Sequence, residues 1–495
     1  MARQHGQDLV GEVLAVLAGP EGRSDPYPHY ERLRGLGPVA LGPDGTLVAT
    51  GYRVCAALLR DHRLGKTPER LLSGAGYADW LDRPSLRMMF TSMLMVNPPA
   101  HTRLRRLVSG AFTPRRVAAL RPAVERRVAE LCEQVAGQTD FVSTFAFPLP
   151  VAVIGEMLGV PAADRPMFQS LVRDWSMVLE VLSPLAVDQA DAAAVQIRDY
   201  LDALAAQRRA HPKDDLISAL VGGADDGDRL NDEELATTAA LLLAAGFETT
   251  TGLLANGLLA LLTYPDQARR LRERPELAQS AVDEMLRYDS PAQMVVSRGA
   301  AADLHVADLT LVPGQRIIAL VGAANRDPEM FSEPDRLRLD RTEAAPLSFG
   351  GSIHYCLGAP LAHLEAEIAF PALLSRFTHL DLAGTPVRRD GSVLRGCSAL
   401  PVTAQWGCDR ERACGTVSAR ARFGRRLLRR AALQLPVSQH DTYQQAEQSR
   451  SGSSARTTRA VCCAVRPNPT SASTYSVTVP NPQRFSSRRN RTHRW

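Results

Sequence analysis

The feature that most constrains the fold is an apolar stretch, residues 235–262, that is long enough to cross a lipid bilayer. Glu248 and Thr249 lie near its middle, where polar groups are costly unless they have partners or a function. Asn231 and Glu234, just before the stretch, have the spacing of a capping box, which predicts that a helix begins there. We therefore expect a long helix buried in the core of a soluble, mainly α protein, and no contact with a membrane.

Charge divides the chain into two parts. The 495 residues carry a formal net charge of +5, but residues 408–495 account for a balance of +13 and residues 1–407 for −8. An acidic body argues against nucleic-acid binding, because affinity for phosphates depends on basic surfaces. We expect a lead-in at residues 1–23, one main domain at 24–407 and an Arg/Ser-rich tail at 408–495. The tail composition is typical of disorder or of an artefactual extension, with an arm for RNA or anionic surfaces as the alternative.

The cysteines point to a reduced, cytoplasmic setting. None of the eight forms a C-x-x-C pair, and their spacing within residues 1–407 is irregular. This pattern argues against a zinc site and against the disulfide framework of a secreted protein.

Apolar periodicity predicts helices over much of residues 100–288 and again at 357–377. Between residues 291 and 325 the pattern changes to short alternating segments with a turn at Pro313-Gly314. Those segments predict a small sheet beside the helices.

Residues 349–359 (FGGSIHYCLGA) place a cysteine in a glycine-rich loop at the start of a helix. Backbone N–H groups and the helix dipole at such a position stabilise a thiolate, which is a good metal ligand. Gly350 and Gly358 would let a large flat ligand approach the backbone closely. A single cysteine is more often an inert core residue, so the surrounding pattern decides the interpretation.

That pattern resembles the heme loop of the cytochrome P450 family, F-G-x-G-x-H-x-C-x-G. The match runs from Phe349 to Gly358, except that Ser352 stands where the family has its second glycine. The resemblance implies that Cys356 is the axial thiolate ligand of heme b (iron protoporphyrin IX), with Phe349, Gly350 and Gly358 shaping the loop. A thiolate ligand pushes electron density towards the iron and favours O–O cleavage.

A second motif lies inside the apolar stretch, where residues 245–250 (AGFETT) resemble the family's A-G-x-[D/E]-T. The resemblance implies that this helix passes the oxygen-binding face of the heme, that Thr249 hydrogen-bonds the bound O2 and that Glu248 relays protons. This role would explain a carboxylate in an apolar helix. The alternative is a kink or an internal hydrogen bond, since Thr can bond to the preceding turn.

A third pattern suits the heme propionates. His101 and Arg105 lie one helical turn apart, so both can face one carboxylate. The family uses this H-x-x-x-R pair for that purpose, and the resemblance adds His354 and Arg298 as its companions.

A fourth pattern is structural. Glu284 and Arg287 have the spacing of the family's E-x-x-R pair, which holds the heme-binding core. The resemblance implies Arg336 as the third partner.

The resemblance extends over about residues 24–406 and implies the P450 fold, a helical prism with a small β-sheet subdomain. It implies a monooxygenase that inserts one atom of O2 into a hydrophobic small molecule, by hydroxylation or epoxidation, in natural-product tailoring. No G-x-G-x-x-G motif for a nicotinamide or flavin cofactor is present, so electrons from NAD(P)H would arrive through a separate ferredoxin and ferredoxin reductase. The alternatives are a peroxide-using or oxidative-coupling heme-thiolate enzyme, and a helical interaction protein whose tail binds nucleic acid.

Two surfaces follow from the same resemblance. Apolar substrate contacts are expected from the following residues: 88–90, 177–179, Ala244, 294–296 and 397–398. The electron donor is expected to dock on a basic cluster of the following residues: Arg105, Arg106, Arg115, Arg116 and His363.

Overall fold

The computed structural model describes residues 2–180, 182–223, 228–306 and 309–407. Within these ranges the chain is mainly α-helical, as the sequence predicts. The α-helices are α1 (Ala2–Ala18), α2 (Pro20–Ser24), α3 (Tyr27–Arg34), α4 (Tyr52–Arg60), α5 (Pro68–Gly74), α6 (Pro84–Phe90), α7 (Ala100–Ser109), α8 (Pro114–Ala119), α9 (Arg121–Val135), α10 (Pro148–Leu158), α11 (Phe168–Ser176), α12 (Pro184–Ala210), α13 (Leu216–Gly222), α14 (Asp232–Thr263), α15 (Pro265–Glu273), α16 (Ala278–Tyr288), α17 (Val321–Ala324) and α18 (Ala359–Arg376). The predicted tail, residues 408–495, lies outside the described residues.

The strands are short and form small sheets. They are β1 (Val39–Leu41), β2 (Leu47–Ala49), β3 (Leu64–Lys66), β4 (Gly137–Asp140), β5 (Val295–Ala300), β6 (Leu304–Val306), β7 (Leu309–Leu311), β8 (Ile317–Ala319), β9 (Phe377–Leu382), β10 (Val387–Arg388), β11 (Cys397–Ala399) and β12 (Pro401–Trp406). One sheet has the order β1-β2-β8-β5-β3, in which β2 and β8 are parallel and the other pairs antiparallel. A second has the order β4-β12-β9, and β6–β7 and β10–β11 form two-stranded pairs. Strands β5–β8 confirm the short strands predicted for residues 291–325, but they belong to two sheets, β5 and β8 to the five-stranded sheet and β6 and β7 to their own pair.

Helix α14 is the central helix of the fold. The Asn231 side chain accepts the N–H of Glu234 at 2.8 Å, and the Glu234 carboxylate accepts the N–H of Asn231 at 3.0 Å, which confirms the capping box. By length and composition α14 could cross a membrane, but 72% of its most apolar window is buried inside the protein. Burial on nearly all sides is the pattern of a core helix.

Around α14 the other long helices form the main hydrophobic core. Helices α10, α12, α16 and α18 all pack against it. A smaller core lies beneath the five-stranded sheet, and α1 contributes Val10, Val13 and Leu17 to a third core with Tyr30 and Leu33. The main core thus fixes α14 relative to α18, which begins just after the cysteine loop.

Candidate functional site

The cysteine loop is closed by its own backbone. The N–H of Cys356 donates to the carbonyl of Phe349 at 2.9 Å, and the N–H of Gly350 donates to the carbonyl of Leu347 at 2.9 Å. Gly350 has φ +69°, which glycine adopts without steric cost. Ser352, the departure from the family loop, has φ +55°, a conformation that an L side chain disfavours. The loop therefore keeps a glycine-like backbone at a position without glycine.

Burial dominates the electrostatics of Cys356. It raises the pKa of the thiol, while the N–H groups of Gly358 and Ala359 and the guanidinium of Arg105 act to lower it. The thiolate-stabilising groups expected from the sequence are present, but burial outweighs them in the protein alone. A coordinated metal ion reverses this balance, because coordination deprotonates a thiol outright.

Cys356 lines a cavity with an empty volume of about 1210 Å³ that extends to α14. Ala245, Gly246 and Thr249 of α14 also line it, so the first two motifs face the same space. Much of the remaining wall is apolar and consists of the following residues: Met93, Leu94, Phe112, Ile154, Leu241, Leu242, Leu253, Leu286 and Leu361. Phe349, Gly358 and Tyr355 of the cysteine loop complete one side.

The acid and the alcohol of the α14 motif have different surroundings. The Thr249 hydroxyl donates to the carbonyl of Ala245 at 2.9 Å, which is the internal hydrogen bond considered as the alternative. Glu248 is absent from the residues that line the cavity. Its carboxylate accepts a hydrogen bond from Arg389 at 2.5 Å, and both side chains are largely buried. The sequence contains no local signal for this partner.

A cationic edge borders the same cavity. His101 and Arg105 of α7 line it together with His354, and the His101 and His354 ring centroids are 4.3 Å apart. His101 is 1% exposed, and neither of its ring nitrogens has a hydrogen-bond partner. Burial, with help from Arg105 and Lys66, lowers the pKa of His101. An anion at this edge could accept hydrogen bonds from His101 and Arg105. Arg298 lies in β5, but its side chain is outside the described residues.

This donor set fits a heme. Among the described residues no group of three or more His, Cys, Asp or Glu side chains could hold a metal ion. Cys356 can supply one ligand, and a bound group that carries its own metal would supply the others. A porphyrin supplies nitrogen ligands around the iron and carries carboxylates that match the edge formed by His101 and Arg105.

The family model for cytochrome P450 matches residues 41–396. The chain belongs to the cytochrome P450 family. This P450 is 41% identical to 6-deoxyerythronolide B hydroxylase of Saccharopolyspora erythraea over 392 residues, which cover 76% of this chain and 96% of that protein. It is 39% identical to the cytochrome P450 monooxygenase PikC of Streptomyces venezuelae over 422 residues, 82% of this chain and 98% of that one.

Solved structures agree with these relatives. P450BioI, in complex with an acyl carrier protein ligated to hexadec-9Z-enoic acid, is similar with a TM-score of 0.73 and 37% identity, covering 78% of this chain and 99% of that chain. The Bacillus subtilis P450 PksS gives a TM-score of 0.69 at 35% identity, covering 78% of this chain and 98% of that one. The predicted P450 fold is confirmed. The chain is a P450 monooxygenase, an enzyme class that uses heme-thiolate iron and O2.

The E-x-x-R pair is deeply buried, and its third partner differs from the prediction. Arg287 binds Glu284 at 2.6 and 2.8 Å and also donates to three backbone carbonyls. The second guanidinium on Glu284 belongs to Arg341, at 3.0 Å. Arg336 was wrongly predicted for this place, because its side chain turns outward to Glu333 and only its carbonyl accepts from Arg287.

The predicted substrate segments separate into two groups. Phe90, Val178, Leu179, Met294 and Val296 line a second cavity, with an empty volume of about 850 Å³. The following residues are buried in the main core and line neither of these two cavities: Met88, Met89, Ala244 and Cys397. The apolar wall beside Cys356 is built by other residues, which the sequence reasoning missed.

Three of the five residues of the predicted basic cluster have polar partners within the protein. Arg105 donates to the carbonyl of Tyr355, Arg106 pairs with Asp228, and His363 lies within 3.4 Å of Asp283. Arg115 and Arg116 are exposed on α8, which packs against α18. An exposed basic pair is therefore held beside the helix that follows Cys356.

Proposed function

We propose that this P450 inserts one oxygen atom from O2 into a C–H or C=C bond of a hydrophobic small molecule in natural-product tailoring. The observation that carries the proposal is that Cys356 and Thr249 line the same cavity. A thiol that can ligate heme iron, opposite a helix that carries a hydroxyl donor, suits thiolate-dependent O2 activation.

Cys356 would hold heme b, with the N–H groups of Gly358 and Ala359 directed at its sulfur. When bound, the heme supplies the oxidising chemistry of the reaction. His101, Arg105 and His354 would bind the propionates, and Arg298 is proposed as a fourth partner from the sequence. The unpartnered nitrogens of buried His101 support this orientation of the heme edge.

Thr249 and Glu248 would relay protons into the cavity. The Thr249 hydroxyl now donates to Ala245, so rotation about its side chain would turn that donor into the cavity. Glu248 lies one residue away and outside the cavity wall, where it can accept a proton and pass it towards Thr249. The largely apolar wall would exclude bulk water and orient the substrate.

The reaction would need two separate electron-transfer proteins. Electrons would come from NAD(P)H through a ferredoxin reductase and a ferredoxin that docks at Arg115 and Arg116. The setting would be the bacterial cytoplasm, with residues 24–407 as the catalytic domain. The two bacterial relatives named above support a tailoring role, and a peroxide-using or oxidative-coupling enzyme is the alternative.

The test is the absorption spectrum of the reduced, CO-treated protein. We expect the strongly red-shifted Soret band of thiolate-ligated heme, its loss in Cys356→Ala and its retention in Cys132→Ala, which removes another buried thiol. A folded, heme-supplied protein without this band would overturn the proposal.

The oxygen chemistry is tested separately by product formed per O2 consumed. Thr249→Ala should keep the Soret band but lower this ratio. Thr263→Ala is the matched control, because Thr263 makes the same hydrogen bond to the preceding turn of α14, at 2.8 Å, away from the cavity. Equal ratios in the two variants would favour the peroxide-using alternative.

A further inference from the structure

The β10–β11 hairpin, residues 387–399, lies along one face of α14. Glu248, Gly252 and Asn256 are spaced by four residues and therefore share that face. Arg389 binds Glu248, while the Asn256 amide donates to the carbonyl of Arg395 at 3.2 Å. A side chain at Gly252 would come within 2.9 Å of the same carbonyl. The hairpin thus approaches the helix backbone closely and follows it for two turns.

The tip of the hairpin is held by a carboxylate from a distant segment. Glu180 accepts the backbone N–H groups of Ser392, Val393 and Leu394 at 2.7, 2.8 and 2.7 Å. Gly391 has φ +123°, and a side chain there would collide with the Glu180 carboxylate. The tip is therefore shaped around Glu180.

Arg389 is electrostatically connected to both carboxylates. It forms the ion pair with Glu248, and its charge also stabilises the ionised form of Glu180, although burial as the larger effect raises the Glu180 pKa. Because both carboxylates have little exposure to water, their attraction to the shared guanidinium is stronger than it would be at the surface. A substitution at Glu180 should consequently change the ion pair between Arg389 and Glu248.

The hairpin also connects the two cavities. Glu180, Ser392 and Val393 line the second cavity, whereas Thr249, next to Glu248, lines the cavity of Cys356. A molecule in the second cavity would press on the hairpin tip. Displacement of the tip would move the backbone that carries Arg389.

We propose that Arg389 is a positioning residue that holds Glu248 outside the active cavity, and that Glu180 couples this hold to occupancy of the second cavity. The inference rests on the proton role proposed for Glu248. In the resting protein the carboxylate faces Arg389. Movement of the hairpin loosens the pair, and Glu248 then reaches Thr249 with a proton taken up on the hairpin side.

The first test compares Arg389→Gln, Arg389→Lys and Glu248→Gln in the heme-loaded protein. We expect Arg389→Gln to lower product per O2 by roughly tenfold, because Glu248 is then no longer held outside the cavity and delivers protons whether or not the second cavity is occupied. Arg389→Lys should restore part of the loss. Asp390→Asn is the control, because Asp390 is an exposed residue of the same hairpin that pairs with Arg23 of α2 and not with Glu248 or Glu180.

The second test measures hydrogen exchange of the Ser392, Val393 and Leu394 amides and does not depend on turnover. Arg389 makes none of their hydrogen bonds, so Arg389→Gln accelerates their exchange only if the hairpin moves as one unit. Glu180→Gln should accelerate it as well and lower product per O2 in the same direction. The double variant should lose less than the product of the two single losses, because both act on one pair.

Three outcomes would overturn the inference. If Glu248→Gln lowers product per O2 while Arg389→Gln leaves the ratio unchanged, the positioning role is wrong and the proposed function stands. If Glu248→Gln has no effect, the proton role of Glu248 fails first. If Glu180→Gln frees the tip amides without changing the ratio, the coupling to the second cavity is wrong.

Discussion

Arg341 reaches Glu284 across 57 positions of sequence and forms a buried ion pair at 3.0 Å, with side chains that are 3% and 1% exposed. Glu284 also pairs with Arg287, and Arg341 also pairs with Glu343, so two carboxylates balance the two guanidinium groups of this cluster. Removing any member of such a cluster lowers the free energy of unfolding, because a buried charge is then left without its partner in a medium of low dielectric constant.

We therefore expect Arg341→Ala to lower the free energy of unfolding by about 3 kcal/mol. Arg336→Ala, at the position the sequence had indicated, should change it by less than about 0.5 kcal/mol, since Arg336 forms an exposed pair and keeps its carbonyl in the variant. Urea unfolding followed by circular dichroism measures both. Equal losses in the two variants would contradict the assignment.

The difference between Arg336 and Arg341 shows which features of the fold a sequence displays. The capping box at Asn231 and the loop around Cys356 depend on residues a few positions apart, so their patterns are visible before folding. Arg341 and Arg389 are brought to Glu284 and Glu248 by tertiary packing, and no sequence pattern predicts either pair.

The same reasoning explains why the predicted substrate segments do not coincide with the residues that line the cavity of Cys356. Apolar segments such as Met88–Phe90 are recognisable as buried, but the sequence does not say whether they face a core or a cavity. Helix rotation decides this: all three side chains are buried in the main core, but among them Phe90 also lines the second cavity.

The backbone at Ser352 provides a second prediction. Its φ of +55° costs an L residue roughly 1 kcal/mol relative to glycine. Ser352→Gly should raise the free energy of unfolding by about that amount. Ser352→Ala is the control, because it removes the exposed hydroxyl but keeps the strain. A gain in stability from alanine equal to that from glycine would show that the hydroxyl, not the backbone, is responsible.

Heme affinity tests the cationic edge without turnover. His101→Phe keeps the ring volume but removes both nitrogens, so titration of the apoprotein with heme should give a dissociation constant raised by roughly tenfold, or about 1.4 kcal/mol. His379→Phe, an exposed change on β9, should have no effect. Unchanged heme affinity in His101→Phe would mean that the unpartnered nitrogens do not face a propionate.

The last prediction concerns acid stability and the carboxylate of Asp289. Burial acts to raise its pKa, but Arg395, Arg388 and Arg326, with a hydrogen bond from Tyr27, outweigh burial and lower the pKa to about 2. A pKa below the unfolded value means that the unfolded chain binds the proton more tightly, so this stabilisation is complete above about pH 5 and is lost as the pH falls towards 2.

The loss has a measurable size. The shift corresponds to about 2 kcal/mol, roughly half of which disappears by pH 3. The difference in free energy of unfolding between the wild type and Asp289→Asn should accordingly shrink by about 1 kcal/mol between pH 7 and pH 3. Asp390→Asn, an exposed change, should show no comparable trend. A constant difference for Asp289→Asn across this range would mean that the three arginines do not hold the carboxylate ionised.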